Sequence, residues 1–126
     1  MLANVKIIVV EDETTIRAFL ANALKYCVNR EVKTFENGAM AWEYLQHQAD
    51  VDIVISDVDM PEISGIELLK NIKQQFPSVI CIIMSGNPLN EALALENGAD
   101  GFLAKPFKLR NLFEIVQTFV INGTPS

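Results

Sequence analysis

DIVISDVDMPEISG, residues 52–65, is the stretch that decides the fold. Ile53, Val54 and Ile55 make an apolar run of strand length, yet the run leaves through two carboxylates one residue apart, Asp57 and Asp59. Pro61 and Gly65 then rule out a simple continuation of strand or helix. A short run that is apolar on both faces suits a parallel sheet covered by helices on each side. Negative charge gathered at the rim of such a sheet needs a reason, and the rest of the chain supplies one.

Outward from this segment the same rhythm repeats. Apolar runs fall at VKIIVV (5–10), EVKTF (31–35), DIVIS (52–56), VICIIM (79–84) and GFLA (101–104). Between them the apolar residues take helical spacing: Ile16, Phe19, Leu20, Ala23 and Leu24, then Ala39, Trp42 and Leu45, then Leu69, Ile72 and Phe76. The last face comprises Leu109, Leu112, Phe113, Val116, Phe119 and Val120. Pro77 should end the third helix, Asn87-Pro88 should start the fourth as N-cap and first residue, and Gly98 should close it. Five βα units in succession predict an α/β fold, a doubly wound five-stranded parallel sheet flanked by five helices.

The length of 126 residues suits one domain with a real core, expected at about 5–121 with a polar tail, NGTPS, at 122–126. No apolar run reaches the ~18–20 residues of a membrane span, and VKIIVV follows no charged leader, so neither membrane contact nor a secretory signal is expected. The net charge of −6 argues against a nucleic-acid surface. Cys27 and Cys81, the latter inside VICIIM, read as reduced, packed thiols of a cytoplasmic protein. His47, between Gln46 and Gln48, reads as a surface residue, Trp42 as core, and Asp52 as a strand-start residue without a role.

In an open parallel sheet, ligands bind beyond the carboxyl ends of the strands, where strand order reverses. Acidic or reactive residues stand at that end of four runs: Glu11-Asp12 after the first, Asp57 and Asp59 after the third, Ser85 after the fourth and Lys105 after the fifth. If the strand order is 2-1-3-4-5, the first and third strands are neighbours at the switch point, and Asp12 and Asp57 would then converge. Carboxylates so close repel one another and raise one another's pKa unless a cation sits among them. Few, hard carboxylate oxygens suit Mg²⁺, which keeps waters and accepts phosphate oxygens as its remaining ligands. The charge then makes sense as half of a metal–phosphate site.

VVEDE (9–13), SDVDMPEISG (56–65), IIMSG (82–86) and GADGFLAKPF (98–107) together resemble the receiver domain of two-component response regulators, from about Lys6 to Ile121. The chain also has the length of the single-domain chemotaxis-type regulators, or of a receiver cut from a longer protein. The resemblance implies the flavodoxin-like topology and a phosphorylation switch with no catalysis beyond its own phosphoryl transfer and autodephosphorylation. Asp57 would accept a phosphoryl group from the phosphohistidine of a histidine kinase or phosphotransfer protein. Asp12, Asp57, the backbone carbonyl of Asp59 and Glu11, directly or through water, would hold Mg²⁺. Lys105 would contact the acceptor, Ser85 would bind the phosphoryl group, and Phe102 would be the aromatic switch. The Lys105-Pro106 bond would be cis, and a downstream protein would read the face formed by helix 4, strand 5 and helix 5. Elementary chemistry agrees: phosphoryl transfer needs an in-line nucleophile and neutralisation of charge around a loose transition state.

Three departures from the family stand out. Asp59 and Asn87, each two residues past a site residue, occupy positions that the resemblance implies would affect phosphoryl lifetime and metal affinity. The stretch from Ser85 to Gly98 is about two residues short, and Leu89, Leu93 and Leu95 cannot share one narrow stripe; the resemblance implies that Leu93 falls where the family usually exposes a polar residue. The alternative function is a Mg²⁺-dependent phosphohydrolase of the haloacid-dehalogenase type, which also uses D-x-D, Ser/Thr and Lys. Its last acidic pair follows the lysine, whereas Glu11-Asp12 comes first here. A flavin carrier needs a phosphate-binding loop after the first strand, where EDETT would repel one.

Overall fold

In the computed structural model, which describes residues 4–48 and 50–123, strands and helices alternate throughout. They run β1 (Ile7–Val10), α1 (Thr14–Leu24), β2 (Lys33–Phe35), α2 (Gly38–His47), β3 (Ile53–Asp57), α3 (Gly65–Gln75), β4 (Ile80–Ser85), α4 (Leu89–Glu96), β5 (Gly101–Ala104) and α5 (Leu109–Gly123). All strand pairings are parallel, in the order β2-β1-β3-β4-β5. Residues 124–126 of the expected tail lie outside the described residues. Among the described residues no helix is long and apolar enough to cross a membrane.

β1 and β3 are buried along their whole length because alternate residues serve two layers. Ile7, Val9, Ile53, Ile55, Ile82 and Met84 meet Leu20 and Leu24 of α1 and Leu112 and Val116 of α5. Ile8, Val10, Val54 and Ile83 meet Leu45 of α2, Ile66, Leu69 and Ile72 of α3, and Ala94 of α4. This two-sided demand explains the continuous apolar runs. Cys81 is buried, with its thiol pushed up to about 12 by desolvation, and Cys27 is half-buried; both are free thiols.

Local chemistry sets the helix ends. The Asn37 side chain accepts the Met40 N–H at 2.8 Å and Ser64 accepts the Glu67 N–H at 3.2 Å, so each caps its helix. α4 starts one residue later than expected, with Pro88 (φ −60°, ψ −23°) as its N-cap and Leu89 as its first residue, while the Asn87 side chain still accepts the Leu89 N–H at 3.0 Å. After α4, Gly98 takes φ +97°; its N–H bonds Leu95 O at 3.1 Å and the Ala99 N–H bonds Ala94 O at 3.0 Å. That is the left-handed closure for which glycine is suited.

Three sequence expectations need correction. Phe19 and Leu109 were placed on inward faces, but each is exposed, at 50% and 40%. Leu109 is the first residue of α5, and Phe19 lines an open apolar depression at the surface. Asp52 has a part to play: its carboxylate accepts the Lys6 N–H at 2.8 Å, and its own N–H and C=O bond Lys6 and Ile80, tying β1, β3 and β4 together at their starts. Trp42 is partly buried against Phe76, and His47 is exposed at the end of α2, as expected.

Candidate functional site

The register Val10↔Ser56 brings the exits of β1 and β3 side by side, and Asp57↔Met84 and Ser85↔Ala104 carry the same rim across to β5. Side chains that follow these strands therefore meet without any long-range adjustment. Carboxylate oxygens of Glu11, Asp12 and Asp57 lie within 4.8 Å of one another. Glu11 and Asp57 are buried and Asp12 is exposed, so the cluster opens to solvent on one side. Three hard oxygen donors in one opening fit a small divalent cation that keeps part of its water shell.

Lys105 arrives from β5, its N–H on Ser85 O at 2.9 Å and its bond to Pro106 cis, as the resemblance implied. Its Nζ stands 3.1 Å from Glu11 Oε1 and 3.1 Å from Asp57 Oδ1. Burial pushes the Asp57 carboxyl above the ordinary range and Asp59 adds to this, while Lys105 opposes it. Burial likewise raises Glu11, against its bonds from the Glu13 N–H and Lys105. Burial would lower Lys105, but the two carboxylates outweigh it and hold the ammonium charged. Lys105→Met should therefore lower stability by about 2 kcal/mol, less than the ~3–5 kcal/mol of a fully buried pair because 23% of the lysine side chain is exposed. Urea unfolding at neutral pH checks this, and adding Glu11→Gln should recover part of the loss.

The remaining predicted residues are placed less uniformly. Asp59 is exposed beside the acceptor. Ser85 is buried at the same rim, but its hydroxyl accepts the Asn87 N–H at 3.0 Å and the Asn90 Nδ2–H at 2.9 Å. Phe102 is partly buried against the layer of α2, α3 and α4. Sequence reasoning missed two residues. Arg17 donates to the backbone carbonyls of Glu11 at 2.8 Å and Asp12 at 3.4 Å, pinning the acidic loop from α1. Asn90 holds Ser85. Arg17 could have been noticed as a cation one helical turn into an acidic segment; Asn90 carries no such signal.

An apolar depression of about 520 Å³ lies against the site, lined by Ile16, Phe19, Gly86, Lys105, Pro106 and Phe107. The exposed Phe19 is part of it, so the misjudged residue lies at the mouth of the site.

Comparison with known proteins agrees with this geometry. Residues 7–117 match the family described as Response regulator receiver domain. The chain is 32% identical over 124 residues to Chemotaxis protein CheY1 of Helicobacter pylori, covering 94% of this chain and 98% of that one. It is 36% identical over 121 residues to the DNA-binding transcriptional regulator NtrC of Azospirillum brasilense, covering 94% of this chain and 25% of the other. The crystal structure of a response regulator receiver domain protein from Clostridium thermocellum superposes with a TM-score of 0.86 at 29% identity, over 94% of this chain and 96% of that one.

Proposed function

The chain belongs to the response regulator receiver family and is a phosphorylation-dependent signalling switch; we propose that Asp57 is its phosphoacceptor and that the donor is the phosphohistidine of a histidine kinase or phosphotransfer protein. The observation that carries this reading is the placement of Lys105 Nζ 3.1 Å from Asp57, at a rim where three carboxylates converge. An Asp57 oxygen attacks phosphorus; the O–P bond forms as the P–N bond breaks, and the imidazole nitrogen leaves with the electron pair. Asp12, Asp57, the Asp59 carbonyl and Glu11, directly or through water, would hold Mg²⁺, which would supply positive charge against the phosphoryl oxygens. Lys105 supplies the second positive pole, and Ser85 donates its hydroxyl proton to the group once it is bound.

The donor docks in the depression beside Lys105, where Phe19 and Phe107 offer apolar surface next to the acceptor. The signal leaves through α4, β5 and α5, with Phe102 as the aromatic that changes packing; α4 already exposes Leu89 at 80%, Leu93 at 41% and Leu95 at 51%. Residues 1–126 are read as one receiver unit acting in the cytoplasm, consistent with two free thiols. The haloacid-dehalogenase alternative is not supported: the acidic pair Glu11-Asp12 precedes the lysine by the whole length of the sheet.

Incubation with acetyl phosphate, followed by intact mass and peptide mapping, tests the reading. One acid- and base-labile phosphoryl group should appear on Asp57, only when a divalent cation is present. A group mapped to Ser85, or uptake indifferent to metal, would overturn it.

A further inference from the structure

Ser85 Oγ is unusual in how its capacity is used. The residue is 1% exposed, and its two lone pairs are occupied by the Asn87 N–H at 3.0 Å and the Asn90 Nδ2–H at 2.9 Å. Its own proton has only the Asn87 carbonyl at 3.5 Å, the outer limit of a hydrogen bond. The hydroxyl is thus fixed in place by two donors while its proton is almost uncommitted.

Both donors belong to the segment that starts α4. The Leu89 N–H bonds the Asn87 side chain at 3.0 Å and the Asn90 N–H bonds the Asn87 carbonyl at 3.0 Å, so residues 87–90 form one hydrogen-bonded piece. α4 itself is weakly seated: eight residues long, it buries Ala94 alone. The Asn90–Ser85 bond is therefore a principal tie between the first turn of α4 and the sheet.

We infer that Asn90 is a positioning residue that couples the Ser85 hydroxyl to helix α4, so that a turn of Ser85 toward a phosphoryl group on Asp57 moves the first turn of the helix. The inference rests on the reading of Asp57 as acceptor. Asn90 is half-buried, and an amide donor that loses its acceptor there must be rehydrated or left unpaired. Following the hydroxyl avoids that cost. Because residues 87–90 are bonded to one another, the displacement passes into Leu89 and Leu93 at the exposed face. The short β4–α4 segment makes the connection direct, where a longer loop would absorb it.

Amide exchange at residues 87–93 tests the inference, in Asn90→Leu, Ser85→Ala and the double variant, before and after treatment with acetyl phosphate and Mg²⁺. In the untreated protein, Asn90→Leu, which loses one hydrogen bond, should raise exchange about threefold to tenfold, and Ser85→Ala, which also loses the bond from the Asn87 N–H, by at least as much, with the double variant no faster than Ser85→Ala. After treatment, Asn90→Leu should still gain the phosphoryl group on Asp57, while the change in exchange across α4 falls to a third of the native response or less. Asn90→Gln, which keeps the amide donor, should restore part of it. Additive effects in the untreated protein, or a full α4 response in phosphorylated Asn90→Leu, would overturn the inference. Failure of the native chain to be phosphorylated on Asp57 would instead defeat the acceptor reading, and the untreated double-variant comparison would still decide whether the tie exists.

Discussion

Asp57→Asn is expected to take up no phosphoryl group, and to be more stable than the native chain at pH 8 without divalent metal. The amide has no charged oxygen to attack phosphorus, so the first half follows from the acceptor reading. The second follows from the direction of the pKa. Burial lifts the folded-state pKa of Asp57 above its unfolded value, Asp59 adds to it, and Lys105 only partly offsets it. The folded state therefore binds this proton more tightly than the unfolded chain does. That contribution is fully present below the ordinary carboxylate pKa, near ~3.9, and is lost as pH rises through the raised folded value. At pH 8 the native chain holds an ionised carboxylate in a buried, acidic setting, and an amide of the same shape does not. Denaturant unfolding at pH 8 and pH 4 should show the advantage of the variant at the first and its loss at the second. Mg²⁺ should reverse the order, since binding at ten times Kd stabilises the native chain by about 1.4 kcal/mol while the variant has lost a ligand. A variant no more stable at pH 8 would mean that Lys105 neutralises the site without metal.

The four residues that meet at the rim, Glu11, Asp12, Asp57 and Lys105, were legible because each ends a strand or follows one within two residues. Once the strand order is known, the backbone alone delivers their side chains to one place. The same reasoning gave Ser85 its position but not its partners, because a hydroxyl chooses among donors within a loop whose path no periodic pattern describes. Asn90 was invisible for that reason: in the sequence it is one polar residue among the leucines of α4. Arg17 acts on backbone carbonyls, a contact with no signature in the residues it touches. Phe19 and Leu109 failed differently. Helical periodicity gives the direction of a face but not which of its positions the rest of the fold covers, and these two are left exposed. The left-handed Glu62 (φ +68°) had no signal either, since neither Gly nor Asn occupies that turn. The remaining motif residue, Gly65, was legible as a break in the chain, but its physical reason appears only in the packing.

Gly65→Ala is expected to lower stability by about 3 kcal/mol or more, at the upper end of what overpacking costs. Gly65 opens α3 with a negative φ that any residue can adopt, so backbone freedom is not the issue. In such a setting alanine ordinarily favours a helix over glycine by roughly 0.5–1 kcal/mol. Here a Cβ would lie 2.1 Å from the Asp57 carbonyl oxygen, 2.8 Å from its carbon and 2.9 Å from Val58 Cα. All three are backbone atoms, so no rotamer change can relieve the overlap. Either α3 lifts at its first turn, stretching the 2.9 Å bond from the Gly65 N–H to Val58 O and drawing Ile66, Leu68 and Leu69 out of the core, or the exit of β3 moves and carries Asp57 away from Lys105. The first route lowers stability and the second lowers phosphoryl uptake per folded molecule, so the variant should show at least one loss and in practice both. Gly86→Ala is the control at the same rim: its Cβ would have Lys105 Cβ as its nearest neighbour at 4.0 Å, an ordinary contact. That change should stay within about 0.5 kcal/mol of the native chain. Urea unfolding of both variants, with uptake from acetyl phosphate scaled to the folded fraction, decides the matter. A Gly65→Ala protein as stable and as readily phosphorylated as Gly86→Ala would mean that the close approach of α3 to the acceptor strand is not what the glycine serves.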